Sequence, residues 1–122
     1  MQRKIQATNV RLKRAYEPPA ADDGTRILID RLWPRGITKE RAAIDQWLKD
    51  ISPSTELRKW FGHDPARWDE FRRRYAQEVH KNSDFLDQLR SLARQGAITL
   101  VYSADDEKHN DAVELRELIL KR

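Results

Sequence analysis

Two nearly continuous apolar stretches, residues 27–32 and 97–102, constrain this chain more than any other feature. A strand with one face in water alternates apolar and polar residues. Ile27, Leu28 and Ile29 in the first stretch, and Ile98, Leu100 and Val101 in the second, do not. Such runs suit parallel strands covered on both faces. Parallel neighbours require long crossover connections, and the segment between these two reads as helical. Val10 and Leu12 alternate with Arg11 and Lys13, the period-two signature of a half-exposed strand near a sheet edge. The Pro-rich segment 17–24 is a loop too short for a crossover helix, and it leaves the direction of that first strand open. The expected fold is α/β: a small, mainly parallel sheet of three or four strands covered by helices, in a single domain spanning residues 1–122.

Ile44, Trp47, Leu48 and Ile51 recur at helical spacing and predict a helix there. Ser52-Pro53-Ser54 stops it and caps a short helix carrying Leu57, Trp60 and Phe61. Asp64-Pro65 is a helix start, an N-cap acid with proline at the first position, and Trp68, Phe71, Tyr75 and Val79 mark the apolar face that follows. Ser83-Asp84 opens another helix, with Phe85, Leu86, Leu89, Leu92 and Ala93 inward and Gly96 as its stop. A final helix turns Ala112, Leu115, Leu118 and Ile119 inward. Trp47 and Trp68 are expected core residues whose truncation to alanine costs about 3–5 kcal/mol.

Composition narrows the function classes. The chain has no cysteine, which removes disulfides, thiolate nucleophiles and cysteine-ligated zinc, and agrees with a reducing, cytoplasmic setting. No apolar run is long enough to cross a bilayer. The start, Met1-Gln2-Arg3-Lys4-Ile5, lacks the apolar core of a secretory signal. A net charge of +4 raises the question of an anionic partner, yet the 24 basic residues are interleaved with 20 acidic ones. Interleaving of that kind marks a solvated, salt-bridged surface more often than a nucleic-acid face. No His-x-x-x-His pair, Gly-rich phosphate loop or serine-hydrolase context is present, so no metal site is read and no cofactor is named.

The first apolar stretch runs into Asp30-Arg31-Leu32-Trp33-Pro34-Arg35-Gly36. A strand ending in charged and aromatic groups delivers them to the rim of a sheet, where open α/β sheets bind ligands. An acid and an arginine leaving a strand often pair with each other, but that account explains only part of a cluster with two guanidiniums, an acid and an indole. Arginine offers a planar fork for phosphate or carboxylate. Thr38 just beyond is suited to cap a helix. A second segment, Trp60-Phe61-Gly62-His63-Asp64, places His63 in a tight loop beside the capping Asp64. The third, Tyr102-Ser103-Ala104-Asp105-Asp106-Glu107-Lys108-His109-Asn110, leaves the last strand and enters the final helix. Parallel neighbours would bring the first and third segments to the same rim.

These three segments together resemble the YeaO-like branch of domain-of-unknown-function family 488, and the resemblance extends over nearly the whole chain. It implies a small single-domain bacterial α/β protein and no established reaction. Broader members of that family carry a Cys-His pair after the last strand. Here the matching region is Lys108-His109-Asn110, without cysteine, so no thiol chemistry carries over.

Two function classes follow. In the first, Asp30, Arg31, Trp33, Arg35, His63, Tyr102, Ser103, Asp105 and His109 form a positively biased pocket for a small anionic or nucleotide-like ligand. Arg31 and Arg35 would clamp its oxygens, Trp33 would form a wall, and Tyr102, Ser103 and Asp105 would line the rim. Were chemistry to occur, Asp30 or neutral His109 would be the general base and His63 an acid or orienting donor. In the second, the basic helix bearing Arg67, Arg72, Arg73 and Arg74 contacts nucleic acid or protein. The absence of a recognition helix with a dimer element weighs against it.

Overall fold

The computed structural model describes residues 4–121, and the basic start at residues 1–3 lies outside them. Four strands form one sheet: β1 (Val10–Arg14), β2 (Thr25–Leu28), β3 (Gln46–Trp47) and β4 (Ile98–Tyr102). Their order is β1-β4-β2-β3 and every pairing is parallel. The two apolar stretches are therefore adjacent and parallel, with Thr25 opposite Ile98 and Leu28 opposite Val101. The edge position expected for residues 10–13 holds, and the open question of β1's direction resolves as parallel.

Among the described residues the α-helices are five: α1 (Lys39–Ala42), α2 (Thr55–Phe61), α3 (Trp68–Lys81), α4 (Ser83–Gln95) and α5 (Asp111–Leu120). The last four bury one face of the sheet, packing Leu57, Phe71, Tyr75, Leu89 and Leu115 against Ile27, Ile29, Ile98 and Leu100. On the opposite face Leu28, Val101 and Ala15 meet Trp33, Ile37 and Ile44 from the long β2–β3 connection and Trp47 from β3. Asp64 caps a 3-10 turn at Pro65–Arg67 that runs straight into α3, as its Asp-Pro signature requires. No helix among the described residues is long and apolar enough to cross a membrane.

Two local readings are corrected. The helix expected through Ile44, Trp47, Leu48 and Ile51 is instead the short strand β3 followed by a 3-10 turn at Lys49–Ile51. The cause is tertiary. The open edge of β2 needs a partner, and Asp45 supplies it: its N–H donates to the Arg26 carbonyl at 2.8 Å and its carboxylate accepts from the Arg26 N–H at 2.8 Å. That pairing outweighs the local periodicity. Trp47 consequently sits half-buried on β3, its indole N–H donating to the Asp30 carbonyl at 2.7 Å, and Trp68 is half-buried too. Second, the strand read over 27–32 ends at Leu28. The Ile29 N–H still donates to the Val101 carbonyl, but the next β4-side donor, the Ser103 N–H, goes to the Asp30 carboxylate and ends the ladder. Leu32 lies beyond and is 67% exposed.

Beneath the second face lies a buried ion cluster. Asp23 accepts from the Arg26 guanidinium at 2.7 Å and from the Lys13 ammonium at 3.0 Å, while Arg26 also donates to the Ala42 carbonyl that ends α1. Burial alone would raise the Asp23 carboxyl, but the Ala20 N–H, Lys13 and Arg26 outweigh it and hold the group below its ordinary value. The next residue, Gly24, adopts φ of 66°, and a Cβ there would meet the Ala97 carbonyl oxygen at 2.0 Å. Only glycine lets the start of β2 approach β4 this closely.

Asp23→Ala leaves Arg26 buried without its counter-ion, so urea denaturation at pH 7 is expected to show a loss of about 3–5 kcal/mol. Because the folded-state value is lowered, this stabilisation is fully present above the unfolded carboxylate range. It disappears as the pH falls through the lowered value. The variant's deficit should therefore shrink in acid.

Candidate functional site

Since all four strands run the same way, their C-terminal ends form one rim. Ile27 and Ile29 face the helical layer, and Arg31 follows them just past the end of β2. Its side chain enters a cleft of about 350 Å³ between the strand ends and α3, lined by Ser52, Ser54, Tyr75, Glu78 and Lys81 among others. The Arg31 Nε is buried and has no hydrogen-bond partner. A buried donor left unmade costs about 1–3 kcal/mol, which makes this atom the anomaly of the rim. Tyr75 closes the cleft floor; it is fully buried and its hydroxyl donates to the Ile51 carbonyl at 2.7 Å. Burial pushes its phenol well above the ordinary value.

Beside this cleft the rim holds a carboxyl pair. Asp30 accepts from the Ser103 N–H at 2.9 Å and from the Ser103 hydroxyl at 2.8 Å, both on Oδ2. Asp111, the first residue of α5, accepts from the Ala112 N–H. Burial first, then the negative charge of Asp30 and a hydrogen bond to it, push the Asp111 carboxyl well above its ordinary range. Two neighbouring carboxylates cannot both ionise cheaply, which is the physical cause of Asp30's part in that rise.

The remaining expected site residues go elsewhere. His109 is half-buried, its Nδ1 is 2.9 Å from Asp106, and its ring stands edge-on to Trp68 at 5.4 Å. Trp68 and Tyr75 lie seven residues apart on α3, about 10 Å along its axis, in a row of stacked rings that includes Phe71. His109 thus sits at one end of that row and the Arg31 cleft at the other. Trp33 covers the opposite sheet face, with its N–H on the Ile37 carbonyl and its ring 5.6 Å from Trp47. Arg35 is exposed, and the Thr38-capped helix after it is a single turn. His63 is exposed with φ of 57°, in the left-handed turn that ends α2. Tyr102 is buried, and Asp105 is an exposed carboxylate paired with Arg14 at 2.8 Å. The rim therefore brings Asp30 to Ser103 and Arg31 into a cleft, but it does not gather all nine residues into one pocket. Nor is the cleft positively biased, because Asp50 and Glu78 line it alongside Arg31 and Lys81.

Asp111, Tyr75, Glu78 and Lys81 were not singled out from the sequence. Tyr75 carried a helix-face signal, read as core. Asp111 reads as an ordinary first-turn acid behind the capping Asn110, and nothing local announces the second carboxyl beside it. Among the described residues, no group of three or more His, Asp or Glu side chains stands close enough to hold a metal ion.

A small parallel α/β domain with its polar groups gathered at the carboxyl rim is the class defined by this architecture. A family model described as the inactive DUF488-N3 subclade (DUF488-N3i) matches residues 9–122, and the chain belongs to that family. The chain is 42% identical over 109 residues to the uncharacterised protein YeaO of Escherichia coli (strain K12), covering 89% of this chain and 95% of the relative. It is 41% identical over 115 residues to the uncharacterised protein Rv3073c of Mycobacterium tuberculosis, covering 94% and 97%. The YeaO-like resemblance carried by the three sequence segments therefore stands. No solved structure matches the chain.

Asp111→Asn keeps the acceptor oxygen for the Ala112 N–H and removes the titration. A raised folded-state value means that the contribution is fully present below the unfolded carboxylate range and is lost as the pH rises through the folded value. Thermal melts of Asp111→Asn between pH 4 and 8 should accordingly show a higher Tm than the parent at the alkaline end. The two curves should converge towards pH 4.

Proposed function

We propose that this protein is a binding module for a small ligand whose anionic group, a carboxylate or phosphate, is taken by Arg31 at the carboxyl rim. The observation that carries this reading is the buried, unpartnered Arg31 Nε at the wall of a cleft that also holds Lys81. A guanidinium with a free edge in a concave site is a fork awaiting an acceptor. Binding without turnover is favoured on two grounds. The family's description is of an inactive subclade. Further, the groups suited to proton transfer are occupied or distant: Asp30 by Ser103, His109 by Asp106 at the far end of the aromatic row, and His63 in an outer turn.

The basic-helix alternative loses support from its own arginines. Arg72 binds Glu114 at 2.8 Å, and Arg73 and Arg74 both bind Glu70, holding that carboxyl down to about 2. Arg67 donates to the Trp60 carbonyl and faces Asp64. Cations already neutralised by carboxylates have few counterions to release to a phosphate backbone.

Thermal melts in inorganic phosphate and in succinate, against sodium chloride of equal ionic strength, test the anion site. At ten times Kd the stabilisation is about 1.4 kcal/mol, a rise of roughly 5 °C. Arg31→Met should abolish the rise while leaving the free protein as stable as the parent or more so, because an unsatisfied donor has been removed. Arg35→Met should keep the rise. Equal ligand-induced shifts in the parent and in Arg31→Met would overturn the reading.

A further inference from the structure

The Arg31 cleft has a neighbour along α3. A second cleft of about 440 Å³ lies alongside it, lined by Glu56, Leu57, Trp60, Arg74 and Gln77. Ser54, Glu78 and Lys81 line both, so the two clefts adjoin and share that stretch of wall. The charges along this trough are mixed in a definite way. Arg31, Lys81 and Arg74 are matched by Asp50, Glu78 and Glu56, three of each sign. Among the described residues, Arg31, Lys81, Asp50 and Glu56 make no ion pair with any protein group, so free charges of both signs face the ligand space. Glu78 accepts from the Ser54 N–H at 2.8 Å and its hydroxyl at 2.6 Å, and a carboxylate retains further acceptor capacity beyond two bonds.

A simple polyanion gains at Arg31 and is repelled by Asp50 and Glu78 in the same cleft. A dipolar ligand meets complementary charge at both of its ends. The second cleft adds apolar surface, for Leu57 and the half-buried Trp60 line it, with the Arg74 guanidinium over the indole at 4.4 Å. Resting on the Arg31 reading above, we infer that the ligand is a zwitterionic α-amino acid with an apolar side chain. Its carboxylate lies on Arg31, its ammonium faces Asp50 and Glu78, and its side chain runs past Ser54 towards Leu57 and Trp60.

Titration calorimetry with four probes at matched ionic strength tests this: L-phenylalanine, 3-phenylpropionate, phenethylamine and inorganic phosphate. L-phenylalanine should bind about five- to tenfold more tightly than 3-phenylpropionate, which lacks only the ammonium, and phenethylamine should bind weakest of the four. Asp50→Asn, an exposed and unpaired position, should remove most of the preference for L-phenylalanine without weakening 3-phenylpropionate. Arg31→Met should abolish binding of both carboxylates. If 3-phenylpropionate or phosphate binds as tightly as L-phenylalanine in an Arg31-dependent way, the zwitterion inference is overturned while the anion site stands. If no carboxylate or phosphate binding depends on Arg31, both fall together.

Discussion

Strand β4 is buried at every position from Ile98 to Tyr102, on both faces of the sheet and between two parallel neighbours. A strand in that position has no surface of its own to offer solvent, so both layers must be closed over it. The helices close one side with aliphatic and aromatic side chains. The other side receives no packed helix of comparable length. It is closed by loops, and there the buried Thr99 donates to the Asp23 carbonyl at 2.7 Å above the Asp23–Arg26–Lys13 cluster. Polar closure is expensive unless every group is paired. This explains why Arg26 spends its remaining donors on the Ala42 carbonyl and why Gly24 must hug Ala97. The loops on this face are consequently fixed in place, and they set where Trp33 and Trp47 lie.

Parallel geometry also decides what reaches the rim together. Asp30 and Ser103 leave neighbouring strands at the same level and are joined by two hydrogen bonds. The same bonds end the β2–β4 ladder, so the chain turns at Asp30 and Arg31 is carried into the space beside α3 rather than further along the sheet. The row of rings on α3 then acts as a partition. Trp68 is taken by His109 and Tyr75 by the cleft, and groups that share a rim in projection come to occupy different recesses.

How much of this could be read from the residues alone follows from which forces are local. The β2–β4 pairing, the edge position of β1, the Asp64-Pro65 start and the Gly96 stop depend on short-range pattern and backbone chemistry, and each was legible. The failure at 44–51 was of another kind. Ile44, Trp47, Leu48 and Ile51 satisfy a helical period, but the vacant edge of β2 recruits Gln46 and Trp47, and an unpaired edge is invisible to a periodicity argument. The site was legible in the same uneven way. Asp30 and Arg31 were marked by ending an apolar strand. Arg35, four residues further on, carried the same chemical label and is exposed, while Trp33 and Ile37 on either side of it pack against the sheet. Asp111 and Glu78 acquire their surroundings only through tertiary contacts, with Asp30 beyond β2 and with Ser54 before α2.

The distribution of satisfied and unsatisfied groups bears on binding against catalysis more directly than residue type does. A general base needs a free acceptor directed at substrate, and a carboxylate already taking two short bonds from one serine is a poor candidate. Burial and the neighbouring Asp30 charge likewise disfavour a further charge on Asp111 at the first turn of α5. Arg31 is the opposite case. It lies just past the end of β2, and no protein group bonds its buried Nε. Residues retained for recognition are commonly unfavourable in the empty site, and the stability they forgo returns when ligand binds. An unpartnered guanidinium among neighbours of both signs is the physical basis of the binding reading proposed above.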